Sequence, residues 1–169
     1  MDLSDIQLLY DYNYWANGRI LSASEHVTQE QYAAPGAFPY GGLRGTLVHT
    51  YDAEQSWRYF FQHKSWTGAT EFKEADIPTL DLLTKRWRDE ETDMHAYLAG
   101  LSGPDLAAHL HYTVDNGEKR DRILWQCLVH VVNHGTQHRS EAAALLTGFG
   151  CSPGDLDFTL FLTRHKPAA

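Results

Sequence analysis

Apolar side chains recur at helical spacing along most of this chain, and four long stretches carry the period. In the first, from about Ser4 to Ser24, Ile6, Leu9, Tyr10, Tyr14 and Leu21 fall near one helix face. The second starts near Leu43 and runs to about His63. Leu47, Val48, Tyr51, Glu54, Trp57, Phe60 and Phe61 give it a broad inner surface. The third follows Thr79 as its cap and reaches about Ala99, with Leu82, Leu83, Trp87, Met94 and Leu98 as its apolar stripe. The fourth begins near Asp121 and ends near Thr147. Ile123, Leu124, Cys127, Val131, Ala142 and Leu145 support it. Gly18 weakens the middle of the first helix, and Gly45 blurs the start of the second.

Breaks in the pattern mark the connections. Thr28 with Gln31 forms a capping box that starts an extra turn. Pro35, Gly36, Pro39, Gly41 and Gly42 mark a loop, and Trp66 to Pro78 is irregular. Gly100 and Gly103–Pro104 end the third helix. His109 to Val114 can extend, and Asp115–Asn116–Gly117–Glu118 can turn, which predicts a small hairpin returning through Arg120–Asp121. Ser152 as cap and Pro153 at the first helical position predict a short last helix from about Pro153 to Arg164. The expectation is an all-α four-helix bundle of one domain, residues 1–169, carrying this hairpin and short C-terminal helix. The long segment between the second and third helices suits a crossover connection.

Composition narrows the partners. The chain has 169 residues, 43% of them hydrophobic, so its core needs neither a disulfide nor a metal to replace it. A formal charge of -8 argues against nonspecific nucleic-acid binding, where phosphate neutralisation supplies much of the affinity. Cys127 and Cys151 form no disulfide scaffold or Cys-rich zinc pattern. No apolar run reaches membrane-spanning length, and the acidic start Met1–Asp2–Leu3–Ser4–Asp5 differs from a basic signal peptide. A cytoplasmic location, with no membrane partner, is the expectation.

The chemistry concentrates in the run Cys127 to Arg139. His130, His134 and His138 are four residues apart and stack along one helix face. Two imidazoles one turn apart can share a transition metal, and a third ligand must come from elsewhere; His49 is the best candidate. The face drifts and spans too much height for all three late histidines to meet one ion easily, which places His130 in the surroundings or the core. The competing reading of His134 and His138 is that of hydrogen-bonded core or surface histidines. Asp52 lies three positions after His49, and Glu141 three after His138, so either can orient an imidazole or take a proton. Glu54 is displaced around its helix. For all three carboxylates a solvated surface position is the favoured reading. Tyr12, Trp15, Trp57 and Trp125 can wall a small-molecule pocket, although bundle packing explains the same residues. Asn13 and Asn17, one turn apart, read as packing or capping groups, and Cys127 as an inert buried thiol.

Taken in order, these segments resemble the DinB family, within the wider DinB/YfiT-like superfamily of metal-binding helical bundles. The resemblance covers nearly the whole chain. Tyr12–Asn13–Tyr14–Trp15–Ala16–Asn17, Leu43–Arg44–Gly45–Thr46–Leu47–Val48–His49, Trp57, and Asn133–His134–Gly135–Thr136–Gln137–His138–Arg139 carry it. It implies that His49, His134 and His138 coordinate a divalent transition metal in a four-helix core, and that the protein forms a homodimer. Ser140–Glu141 departs from the Gly-Gln that often follows in the family. Three imidazoles suit zinc or nickel, with iron and manganese as further fits, and leave at least one coordination position open. Some relatives use low-molecular-weight thiols to transfer or rearrange groups, and others are described as DNA-damage-inducible or as metal-dependent hydrolases. The resulting expectation is a metal-dependent enzyme acting on a small molecule, either a hydrolase or a thiol-dependent transferase. The alternative is a noncatalytic metal-dependent small-molecule-binding or stress protein.

Overall fold

The computed structural model describes residues 1–114 and 116–164. Asp115 of the expected turn, His165 and the tail 166–169 lie outside the described residues. Four long helices form the core: α1 (Leu3–Ser24), α3 (Leu43–His63), α4 (Leu80–Ala99) and α6 (Leu124–Gly148). Their inner faces bury Ile6, Tyr10 and Ile20 from α1, and Leu47, Phe60 and Phe61 from α3. Leu83, Trp87 and Met94 come from α4, and Leu128, Val131 and Ala142 from α6. Most of these are residues picked out by the helical period, with Ile20 and Leu128 added by the structure, and burying each large apolar side chain contributes about 1.5–3 kcal/mol.

The helix ends follow local chemistry. Asp2 accepts from the Asp5 amide at 3.0 Å and begins α1. Thr28 and Gln31 make both halves of their capping box and start the short helix α2 (Gln29–Ala33). The Thr79 hydroxyl accepts from the Leu82 amide at 3.3 Å and begins α4.

Both α1 and α3 pack along α4 and α6. The consecutive long helices α1 and α3 therefore stand diagonally, as do α4 and α6. The crossover is present, but it lies in the α1–α3 and α4–α6 connections. The segment between α3 and α4 instead joins neighbours, because it is tied back onto α3. The Phe72 amide donates to Asp52 at 2.7 Å, and Arg44 pairs with Glu74 of a single 3-10 turn (Glu74–Asp76) at 2.7 Å.

The α4–α6 connection holds a one-turn helix, α5 (Gly103–Leu106), at the place where a break was expected. Pro104 fits its first turn, and the Ser102 amide donates to Asp105 at 2.7 Å. Strands β1 (His109–Thr113) and β2 (Lys119–Ile123) then pair antiparallel, with His109 opposite Ile123. That pairing keeps Ile123 extended and delays α6 to Leu124, three residues beyond the expected start. The last helix, α7 (Phe158–Arg164), also starts later than expected. Asp157 is its effective cap, accepting from the Thr159 amide at 2.6 Å, while the Pro153 carbonyl is held by Arg19.

Candidate metal centre

Helices α3 and α6 run side by side and antiparallel: His49 of α3 meets His134 of α6, and Trp57, farther along α3, meets His130, one turn earlier on α6. This arrangement brings three imidazoles to one point. His134 Nε2 lies 3.2 Å from His49 Nε2 and 3.2 Å from His138 Nε2. One donor atom from each of the three histidines lies within 4.8 Å of the others. A tetrahedral zinc about 2.0–2.1 Å from each nitrogen would separate two of them by about 3.3–3.4 Å, close to both separations from His134.

The protonation pattern also fits. His138 Nδ1 lies 2.8 Å from Glu141 Oε2, which places the proton on Nδ1 and leaves the Nε2 lone pair facing the centre. Burial, then the neighbouring His138, pushes His49 down to about 4. Burial, then His138 and His49, pushes His134 down to about 3. Both are therefore neutral at pH 7, the form in which imidazole donates to a metal.

Tyr40 completes one side of the cluster. Its ring stacks on His49 with centroids 3.4 Å apart and an angle of 10° between planes, and it meets His138 edge-on at 5.3 Å. At 43% exposure it stands between the imidazoles and solvent. Gly45 makes this possible, since a Cβ there would lie 2.0 Å from the Tyr40 carbonyl. The same close approach gives α3 the start at Leu43 that Gly45 left uncertain in the sequence.

Behind the imidazoles lies a buried polar network spanning all four long helices. Glu54 Oε1 accepts from Asn13 Nδ2 at 2.9 Å and Asn17 Nδ2 at 3.0 Å, and its Oε2 accepts from the Trp87 indole at 2.7 Å. Arg139 donates to the oxygens of Asn13 and Asn17, and to the Thr136 hydroxyl at 2.9 Å. Glu54 and Arg139 are 1% and 2% exposed, so each charge relies on this network in place of water. Gly135 is part of it, because a Cβ there would lie 2.7 Å from the Arg139 guanidinium and 2.9 Å from Asn13 Oδ1.

Several expectations change against this geometry. Glu54 is a buried acceptor and not a solvated carboxylate, and Glu141 turns toward His138 with only 13% of its side chain exposed. Asp52 is committed to the loop amide of Phe72. Tyr12 donates to the Leu156 carbonyl at 3.0 Å and packs against Phe158 and Phe161, joining α1 to the C-terminal segment. Trp125 is partly buried against the core; nine residues before His134, it lies about 14 Å along the helix axis. His130 is exposed and not a core group. Its ring is 5.9 Å from that of His134 and 5.4 Å from that of Trp57, and it borders a cavity of about 710 Å³ between α3, the hairpin and α6.

Three converging imidazoles on two neighbouring helices, one of them anchored by a carboxylate, make this a helical bundle with a site capable of holding a divalent metal. The chain belongs to the DinB family: the sequence model of that family matches residues 2–168. It is also similar to Protein DinB of Bacillus subtilis (strain 168), with 27% identity over 169 residues, covering 95% of this chain and 96% of that protein. No helix among the described residues is long and apolar enough to cross a membrane.

Proposed function

We propose that this protein is a metal-dependent enzyme acting on a small molecule, either by hydrolysis or by thiol-dependent transfer. The convergence of the His49, His134 and His138 donor nitrogens carries the reading. A divalent ion held there by three neutral ligands keeps at least one position open, where it can polarise an electrophile, acidify a bound water or hold a thiolate. Glu141 fixes the tautomer and direction of His138, and Tyr40 fixes the plane of His49. His130 and Trp57 form the border with the adjoining cavity, whose volume suits a small organic substrate.

Protein prepared without an affinity tag and reconstituted with zinc or nickel tests this reading. One assay set follows hydrolysis of activated esters and amides, and the other follows adduct formation between an electrophile and a small thiol. Turnover that needs the metal and disappears in H134A supports the proposal. Metal binding without turnover in either set contradicts it and assigns the site to a noncatalytic binding protein.

A further inference from the structure

The cavity beside the metal centre has a chemical asymmetry that the imidazoles do not explain. Its apolar side is aromatic: Trp57 and Tyr112 meet edge to face, with centroids 5.6 Å apart. Its charged side comes from β2. The hairpin register pairs Arg122 with the buried Leu110, on the strand face turned toward the bundle. Asp121 pairs with His111 on the opposite face, where it also lies 2.7 Å from His109 Nδ1. Asp121 and His109 also border the cavity, so the carboxylate is engaged by His109 at its edge, while the exposed Arg122 lines the same opening from the other strand face.

Arg122 is part of the cavity lining, beside Tyr112 and Cys127. Arg122 acts electrostatically on both the Tyr112 hydroxyl and the Cys127 thiol, lowering the proton affinity that burial raises in each. Its NH1 donates to the Asp121 carbonyl at 2.8 Å and its charge acts on the Asp121 carboxylate, but among the described residues it forms no close side-chain salt bridge. A guanidinium with donors not taken up by a close salt bridge, beside an aromatic wall, is a receptor for an anion on an aromatic body.

We propose that this cavity binds a small aromatic carboxylate, with its ring against Trp57 and Tyr112 and its carboxylate on Arg122. The other end of the ligand then lies toward His130 and the three-histidine centre. This inference names the substrate class for the function proposed above and rests on that reading, but the binding itself does not require the metal.

The probes are 3-phenylpropionate and its neutral amide, 3-phenylpropionamide, titrated into metal-loaded and metal-free protein. Binding is followed through the indole N–H resonance of Trp57. The expected result is at least tenfold tighter binding of the carboxylate, retained in metal-free protein. R122Q should reduce that preference to below twofold, whereas R120Q, on the same strand but outside the cavity lining, should preserve it. Equal binding of acid and amide, or a preference unchanged in R122Q, would overturn the proposal. A preference that vanishes only on metal removal would place the carboxylate on the ion and overturn the Arg122 site while leaving the metal reading intact. Carboxylate binding at Arg122 in a protein that takes up no metal would uphold this site while the proposed metal-dependent function fails.

Discussion

Glu54 and Arg139, opposite charges buried in α3 and α6, are bridged by the side-chain amides of Asn13 and Asn17. Glu54 follows His49 by five residues, and Arg139 is the immediate neighbour of His138. The bridge therefore fixes the two helices that carry the histidine cluster to each other through α1. Glu54→Gln retains the shape but leaves Arg139 without a counter-charge, and it should destabilise the fold by about 3–5 kcal/mol. Urea unfolding measures this, and a loss under about 1 kcal/mol would show that the network contributes little.

Gly135 should resist replacement even by the best helix former. Ala gains about 1 kcal/mol of helix propensity over Gly, but at 135 its methyl meets the Arg139 guanidinium and Asn13. Gly135→Ala should therefore cost about 1–3 kcal/mol net by overpacking. Gly18 lies inside α1, and a methyl added there would have nothing within 4 Å, so Gly18→Ala should stabilise by about 0.5–1 kcal/mol. Thermal melts of the two variants should move in opposite directions.

Glu141 is expected to act through His138. Removing its carboxylate in Glu141→Ala frees the ring and its tautomer, and should weaken metal affinity about 10–100-fold. Competition with a chromophoric chelator reads the change. Glu141→Gln, which can still accept the Nδ1 proton, should retain most of the affinity. Equal losses in the two variants would indicate damage to packing instead.

The metal-free protein should be sensitive to acid. His49 and His134 titrate at about 4 and about 3 when folded, below the ordinary value of 6.5, because burial and the neighbouring imidazoles oppose their charge. The unfolded chain thus takes up these protons first. The associated stability is complete above about 6.5 and is lost as pH falls toward 4 and then 3. Denaturant midpoints of metal-free protein should drop across this window, and the drop should be smaller in H134A. An identical pH profile in H134A would contradict the assignment.

The sequence makes the long helices legible because their stability comes from faces that repeat every 3.6 residues. Thr28–Gln31 and Thr79 are readable for a similar reason, since capping is local. The separation of His130 from His134 and His138 also follows from helix drift alone. Glu54 could not be read in this way. Its burial depends on Asn13, Asn17 and Trp87, at least 33 positions away in sequence, all arriving together. Tyr40 was hidden in a glycine- and proline-rich loop, and only the contact of its carbonyl with Gly45 reveals why the loop settles over His49. The late start of α7 reflects a similar competition, in which Arg19 holds the Pro153 carbonyl and overrides the local Ser152–Pro153 signal.

Metal content is the direct test of the three-histidine centre. Untagged protein, loaded with zinc or nickel and passed through a desalting column, should retain one ion per chain by elemental analysis. H49A, H134A and H138A should each lose that ion or bind it at least tenfold more weakly, and H130A should bind it as the unaltered protein does. Unchanged stoichiometry and affinity in the first three variants would contradict the central claim.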